Sequence, residues 1–149
     1  MRYGVDTDNI GVCSVAFQRN TFGMGTPVFD FCKNKVIKKI VGLEQYSEAV
    51  YVIFTDNFVL KFYHEQDCCE DVLLEDFDLG MIDDAAKLPQ VIGIEESESD
   101  QEIDHGHQTW TFYRIHTSQG DIWMRWMGES NGYYSEDVDV KLGVVYEWH

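Results

Sequence analysis

The sequence predicts a mainly β fold of the α+β kind, a single domain with a largely antiparallel or barrel-like sheet and one short helix. Three observations predict it. Proline occurs only as Pro27 and Pro89 and helix-period stretches are scarce. Aromatic and β-branched residues recur in short alternating runs, and turn residues bound those runs. With 149 residues, 44% of them hydrophobic, the chain can bury a real core.

Residues 1–35, with Gly4, Gly11, Gly23 and Gly25, pattern weakly and read as an extension packed on the sheet of a β-rich domain spanning 36–149. Residues 36–41, 49–55 and 58–63 read as strands. The latter two are joined by Asp56-Asn57, residue types that tolerate the positive φ of a tight hairpin. Residues 72–75 and 91–95 are further strands, and a short helix over 82–87 is ended by Pro89. Residues 97–108 lack periodicity and read as an exposed, mobile acidic loop. Residues 110–117 and 122–127 form a second hairpin around 118–121, with apolar material on both faces, so it belongs near the centre of the sheet. Residues 138–146 supply the closing strand.

Charge is the most uneven property of the chain. Residues 1–64, 65–104 and 105–149 carry +1, −14 and −3, and Lys87 is the only cation in the middle block. Such a block repels itself and marks a solvated face or an interaction surface. A net charge of −16 opposes direct binding to nucleic acid or to an anionic membrane, since phosphate neutralisation requires Lys and Arg. A positively charged protein partner fits better. No run approaches the ~20 apolar residues of a spanning helix, so the cytoplasm is the expected location. Cys13, Cys32, Cys68 and Cys69 are expected as four free thiols, with Cys68 or Cys69 turned inward from a strand.

Several motifs begin and then fail. Gly128-Glu129-Ser130-Asn131-Gly132 has the Gly-x-Ser-x-Gly form of a nucleophile elbow, but Tyr133-Tyr134-Ser135 follows where a helix should open, so Ser130 is no nucleophile. Asn131-Gly132 is a favoured turn pair. Trp126 is expected inside, with Tyr133 and Tyr134 on opposite sides of the next extended segment, one of them in the core. His64-Glu65-Gln66-Asp67-Cys68 begins like His-Glu-x-x-His but ends in Cys. His64, Cys68, Cys69, His105 and His107 have zinc-ligand chemistry without zinc-site spacing, and no cofactor or metal is expected. Asp76-x-Asp78-x-Gly80 lacks the bidentate Glu of a calcium loop.

Gln66-Asp67-Cys68-Cys69-Glu70, preceded by His64, and Trp126-x-Gly128-x-Ser130-Asn131-Gly132-Tyr133-Tyr134-Ser135-Glu136 resemble the signatures of an uncharacterised domain family carried mainly by bacteriophages and prophages. The resemblance covers about residues 36–143 and implies a phage setting without implying an activity. In that setting, small acidic proteins lacking enzyme motifs are similar to inhibitors of host defence, including anti-CRISPR proteins and DNA mimics.

Two functional expectations follow. The first is a non-enzymatic inhibitor whose acidic face occupies the basic nucleic-acid groove of a defence protein, such as a CRISPR effector, in the bacterial host cytoplasm. Carboxylates spaced about 6.6 Å along strands about 4.8 Å apart approach the density of phosphates. Its contact residues are Asp71, Glu75, Asp76, Asp78, Asp83, Asp84, Glu95, Glu96, Glu98, Asp100, Glu102 and Asp104, on two neighbouring acidic strands and a loop. The second is a ligand- or metal-binding pocket, of a binding domain or an enzyme, built from 64–70 and 128–136, with His64, Gln66, Asp67, Cys68, Asn131, Tyr133 and Ser135 converging.

Overall fold

A computed structural model describes residues 5–18, 26–80 and 88–149. The expected helix at 82–87, with Asp83 and Asp84, lies outside the described residues. Ten strands and one helix follow in chain order: β1 (Val5–Asn9), β2 (Cys13–Gln18), α1 (Thr26–Phe31), β3 (Ile37–Val41), β4 (Ala49–Phe54), β5 (Phe58–Tyr63), β6 (Asp71–Asp78), β7 (Val91–Ile103), β8 (Gly106–Thr117), β9 (Gly120–Ser130) and β10 (Asp139–Trp148). The strands make two antiparallel sheets, ordered β1-β2-β10-β5-β4-β3 and β6-β9-β8-β7. Neither closes into a barrel.

The main core lies between the sheets. Val50, Val52, Phe54, Leu60 and Phe62 of the large sheet meet Tyr113, Ile115, Ile122, Met124 and Trp126 of the small one. The alternation Ile122, Met124, Trp126 on β9 and Tyr113, Ile115 on β8 is the period-two signature of a half-buried strand. α1 and the turn after it plug one side of this core with Val28, Phe29 and Cys32. Pro27 sits in its first turn, where the missing N–H costs nothing. The sequence reading did not place this helix.

The large sheet also curls. β1 stands three strands from β5, about 14 Å away in a flat sheet. Nevertheless the Asp8 carboxylate accepts hydrogen bonds from Tyr51 and from Lys61, each at 2.7 Å. The β1–β2 hairpin is therefore rolled over the outer face of β5 and β4, enclosing a second cluster of Cys13, Val15, Phe17, Ile53, Val59 and Val145. Gly143 makes the roll possible: a Cβ there would lie 2.5 Å from the Phe17 ring, which crosses β10 at this point.

Two expectations are corrected at the small sheet. Residues 97–108 are no loop: β7 and β8 pair continuously from Val91↔Thr117 to Ile103↔Gly106, turning through Asp104 and His105, whose φ is +70°. The backbone ladder supplies the order that apolar alternation does not signal. The acidic strands are also not neighbours, because β9 and β8 lie between β6 and β7.

Candidate functional site

β7 is an edge strand, and its side chains alternate. Glu96, Glu98, Asp100 and Glu102 stand opposite Tyr113, Thr111, Thr109 and His107, on the face turned toward the large sheet. Glu95, Ser97, Ser99 and Gln101 point the other way. The four inward carboxylates are nevertheless exposed. Glu96 accepts a hydrogen bond from the Tyr113 hydroxyl at 3.2 Å, and Asp100 lies 3.4 Å from His107. No described Lys or Arg pairs with any of the four. Partial burial, with Asp137 nearby, pushes the Glu96 carboxyl up. Burial and the charges of Asp137, Glu96 and Asp100 do the same to Glu98.

The other expected contact residues sit elsewhere. Asp71, Glu75, Asp76 and Asp78 lie on β6 at the opposite edge of the sheet, about 14 Å away across it. Glu75 and Asp76 are engaged by Arg125, at 2.6 and 3.7 Å, and Asp78 caps the Gly80 N–H at 2.6 Å. Asp104 is in the β7–β8 turn, and Glu95 lies 3.3 Å from His116 on the far face. The expected single array is thus divided.

The two signature segments come together, though not as a pocket lined by both. Asp71 pairs with Glu129 and Val72 with Gly128, and a Cβ on Gly128 would fall 2.7 Å from the Glu136 carbonyl oxygen, so glycine lets the returning segment cross β9. Each segment is organised by one buried glutamate. Glu70 accepts hydrogen bonds from His64 Nε2 at 2.7 Å, from the Asp67 N–H at 2.9 Å and from the Cys68 N–H at 2.8 Å. Gln66 Nε2 donates to the Glu70 carbonyl oxygen at 2.6 Å. Glu136 accepts from His107 Nδ1 and Thr109 Oγ1, both at 2.8 Å, and from the Ser130 hydroxyl. His64 Nδ1 donates to the Asp137 carbonyl at 2.7 Å, tying the two knots together.

The electrostatics follow from these donors. The His64 hydrogen bond, helped by the backbone amides and opposed by burial, holds the Glu70 carboxyl down at about 2. Burial disfavours the His64 cation, but Glu70 and the Asp137 carbonyl outweigh it and raise the ring's pKa. Glu136 is pushed up by burial and pulled further down by Ser130, Thr109 and His107, with a net lowering. His107 is raised, chiefly by Glu136. A lowered carboxylate filled by three donors is a poor base, and Ser130 and His107, opposite each other on β9 and β8, both donate to it and not to each other. Loop ordering is the chemistry these knots can do. They were missed because a buried carboxylate resembles a solvated one in sequence; Glu70 and Glu136 were visible only as the last residues of the two signatures.

The pocket residues disperse. His64 and Gln66 line a cleft of about 240 Å³ with Glu48, Asp71, Val72 and Leu73. His64 also borders a groove of about 490 Å³ over Asp8, Tyr51, Lys61 and Tyr63. Asn131, Tyr133 and Ser135 line neither; Tyr133 is 88% exposed and Tyr134 is half-buried, so neither tyrosine enters the core. Trp126 is buried, and Gly132 has a φ of +97° in the expected bend. Cys68 and Cys69 are both exposed and joined by a disulfide, while Cys13 and Cys32 are free and buried. The expectation of four thiols with one of the pair turned inward is corrected: the pair sits on a bend outside any strand, where adjacent sulfurs can meet. Among the described residues no group of three or more His, Cys, Asp or Glu side chains is arranged to hold a metal, and no helix is long and apolar enough to cross a membrane.

Neither a curated protein nor a solved structure matches the chain. Residues 33–140, from just after α1 to the start of β10, match the family described as Domain of unknown function (DUF7448), and the chain belongs to that family.

Proposed function

We propose that the protein is a binding module that occupies a cationic, nucleic-acid-binding groove on another protein through the inward carboxylates of β7. The observation that carries this reading is the row Glu96, Glu98, Asp100 and Glu102 on an exposed edge strand, every second residue on one face and without a described Lys or Arg partner. A strand sets these charges about 6.6 Å apart, close to the spacing of phosphates along one nucleic-acid strand. With only His107 beside Asp100 and the Tyr113 hydroxyl on Glu96 to offset it, such a row repels itself in the free protein, and a cationic groove would relieve it. In the phage setting implied by the sequence resemblance, the target class is a host defence effector of the CRISPR kind. The test is competition: a purified CRISPR effector nuclease, with and without its nucleic acid, is titrated with the protein and with a variant carrying Glu96→Gln, Glu98→Gln, Asp100→Asn and Glu102→Gln. Binding should compete with nucleic acid, weaken with salt and weaken in the variant. Binding that nucleic acid leaves undisturbed rejects mimicry.

A second reading rests on the two clefts that share His64, whose walls place Glu48, Asp71, Asp8 and Lys61 around polar space. A small polar ligand would suit them, and Lys61→Met with Tyr51→Phe would then abolish its binding.

A further inference from the structure

The outer face of the small sheet should be polar if only solvent met it. It is not. Trp110 and Met127 face each other across β8 and β9, as do Phe112 and Arg125, and Arg114 and Trp123. Phe112 and Trp123 stack with centroids 5.8 Å apart. Arg125 lies over Trp110 at 5.6 Å and Arg114 over Phe112 at 5.5 Å. All six are half-buried, and the four apolar ones belong to neither hydrophobic cluster. Tryptophan and arginine at the centre of a patch that no described strand or helix covers are the residue types that dominate protein interfaces.

The rim decides the occupant. Asp71, Asp76 and Asp78 on β6, Asp121 and Glu129 on β9, and Glu95 on β7 surround the rings. Against these stand Arg114, Arg125, already engaged by Glu75 and Asp76, and His116, between Glu95 and Asp121, so the acids still outnumber the bases on this face. A second copy would set this rim against itself, and single-stranded nucleic acid would find stacking surfaces without the basic groove that must accompany them. A basic polypeptide meets both requirements, with its guanidinium or ammonium groups over the indoles and its remaining charges on the rim.

We infer that the outer face of β9 and β8, centred on Trp110, Phe112 and Trp123, docks an Arg- or Lys-rich segment of a partner protein. This surface is independent of the β7 row, which lies on the opposite face of the sheet. The probe is a deca-arginine peptide followed through tryptophan fluorescence and through the indole N–H resonances. Its affinity should fall roughly tenfold for Trp110→Thr with Trp123→Thr, and by much less for Glu96→Gln with Glu98→Gln. The Trp110 and Trp123 indole resonances of the unaltered protein should shift, which keeps the test decisive if the double variant fails to fold. Equal affinity in the folded double variant overturns the inference. So do indole resonances that stay fixed while β7 resonances move, a shift of these indoles by oligo-dT alone in the absence of peptide, and a concentration-dependent dimer that buries these indoles.

Discussion

His64 and Glu70 meet at 2.7 Å with both side chains withdrawn from solvent, and the second ring nitrogen of His64 faces the Asp137 carbonyl at the same distance. Two acceptors call for two protons, so this setting favours the imidazolium form of the ring. His107 and His116 repeat the arrangement, each between two carboxylates.

Stability should therefore be greatest in mildly acidic solution. The three histidines are raised above their ordinary 6.5, so their contribution is full below 6.5 and is lost as pH rises through the folded values. Glu70, lowered from 4.5 to about 2, contributes above 4.5 and is lost as pH falls toward 2. The melting temperature should peak between about 4.5 and 6.5 and decline toward pH 8. A calorimetric Tm that is flat or rising from pH 6 to 8 contradicts this.

Neutralising the β7 row should stabilise the free protein. Glu96 and Glu98 are pushed up by burial and by Asp137, so their surroundings disfavour the charged form of both. Glu96→Gln with Glu98→Gln should leave the Tm unchanged or raised by a few degrees, with the gain shrinking in 0.5 M salt. A clear loss of stability in both salt conditions contradicts this.

Gly143→Val should destabilise the roll of the large sheet by roughly 1–3 kcal/mol, because the new side chain must displace Phe17 and the Ala16 carbonyl, 2.5 and 2.7 Å from its Cβ. Phe62→Ala, in the fully buried main core, should cost about 3–5 kcal/mol. Urea denaturation measures both. A neutral Gly143→Val would show that β2 does not lie across β10.

Ser130→Ala should cost only about 1 kcal/mol, since Glu136 keeps His107 and Thr109 as donors. Partner binding should persist in this variant. A variant that melts normally but has lost function would instead identify Ser130 as a reacting group.

Thiol titration of the denatured protein without reductant should count two thiols, Cys13 and Cys32, and four after reduction. Four from the start would remove the Cys68–Cys69 bond.

The sandwich core was legible wherever one strand face is buried. The run at 122–127 alternates because one side meets the other sheet, the runs at 49–55 and 58–63 are apolar on both faces because Ile53 and Val59 enter the second cluster, and Asn57 takes the positive φ that its hairpin needs. Residues 97–103 were illegible because an edge strand exposed on both sides needs no apolar alternation. β2 was overlooked although Cys13, Val15 and Phe17 do alternate, and α1 although Pro27 marks its first turn. At the candidate site the abundance of acids was visible but their division was not: strand order is a long-range property that local pattern does not carry.

β10 has a consequence for the order in which the molecule can assemble. It is the last strand in the chain, yet in the large sheet it separates β2 from β5. Until it arrives, the β1–β2 hairpin lacks its ladder partner and the β3–β5 meander has a bare edge, so the two pieces of the large sheet can meet only through side chains, such as Asp8 with Tyr51 and Lys61, and not through a backbone ladder. Closure then pairs strands more than a hundred residues apart, as Val144 with Ala16, a topology that favours slow, all-or-none folding.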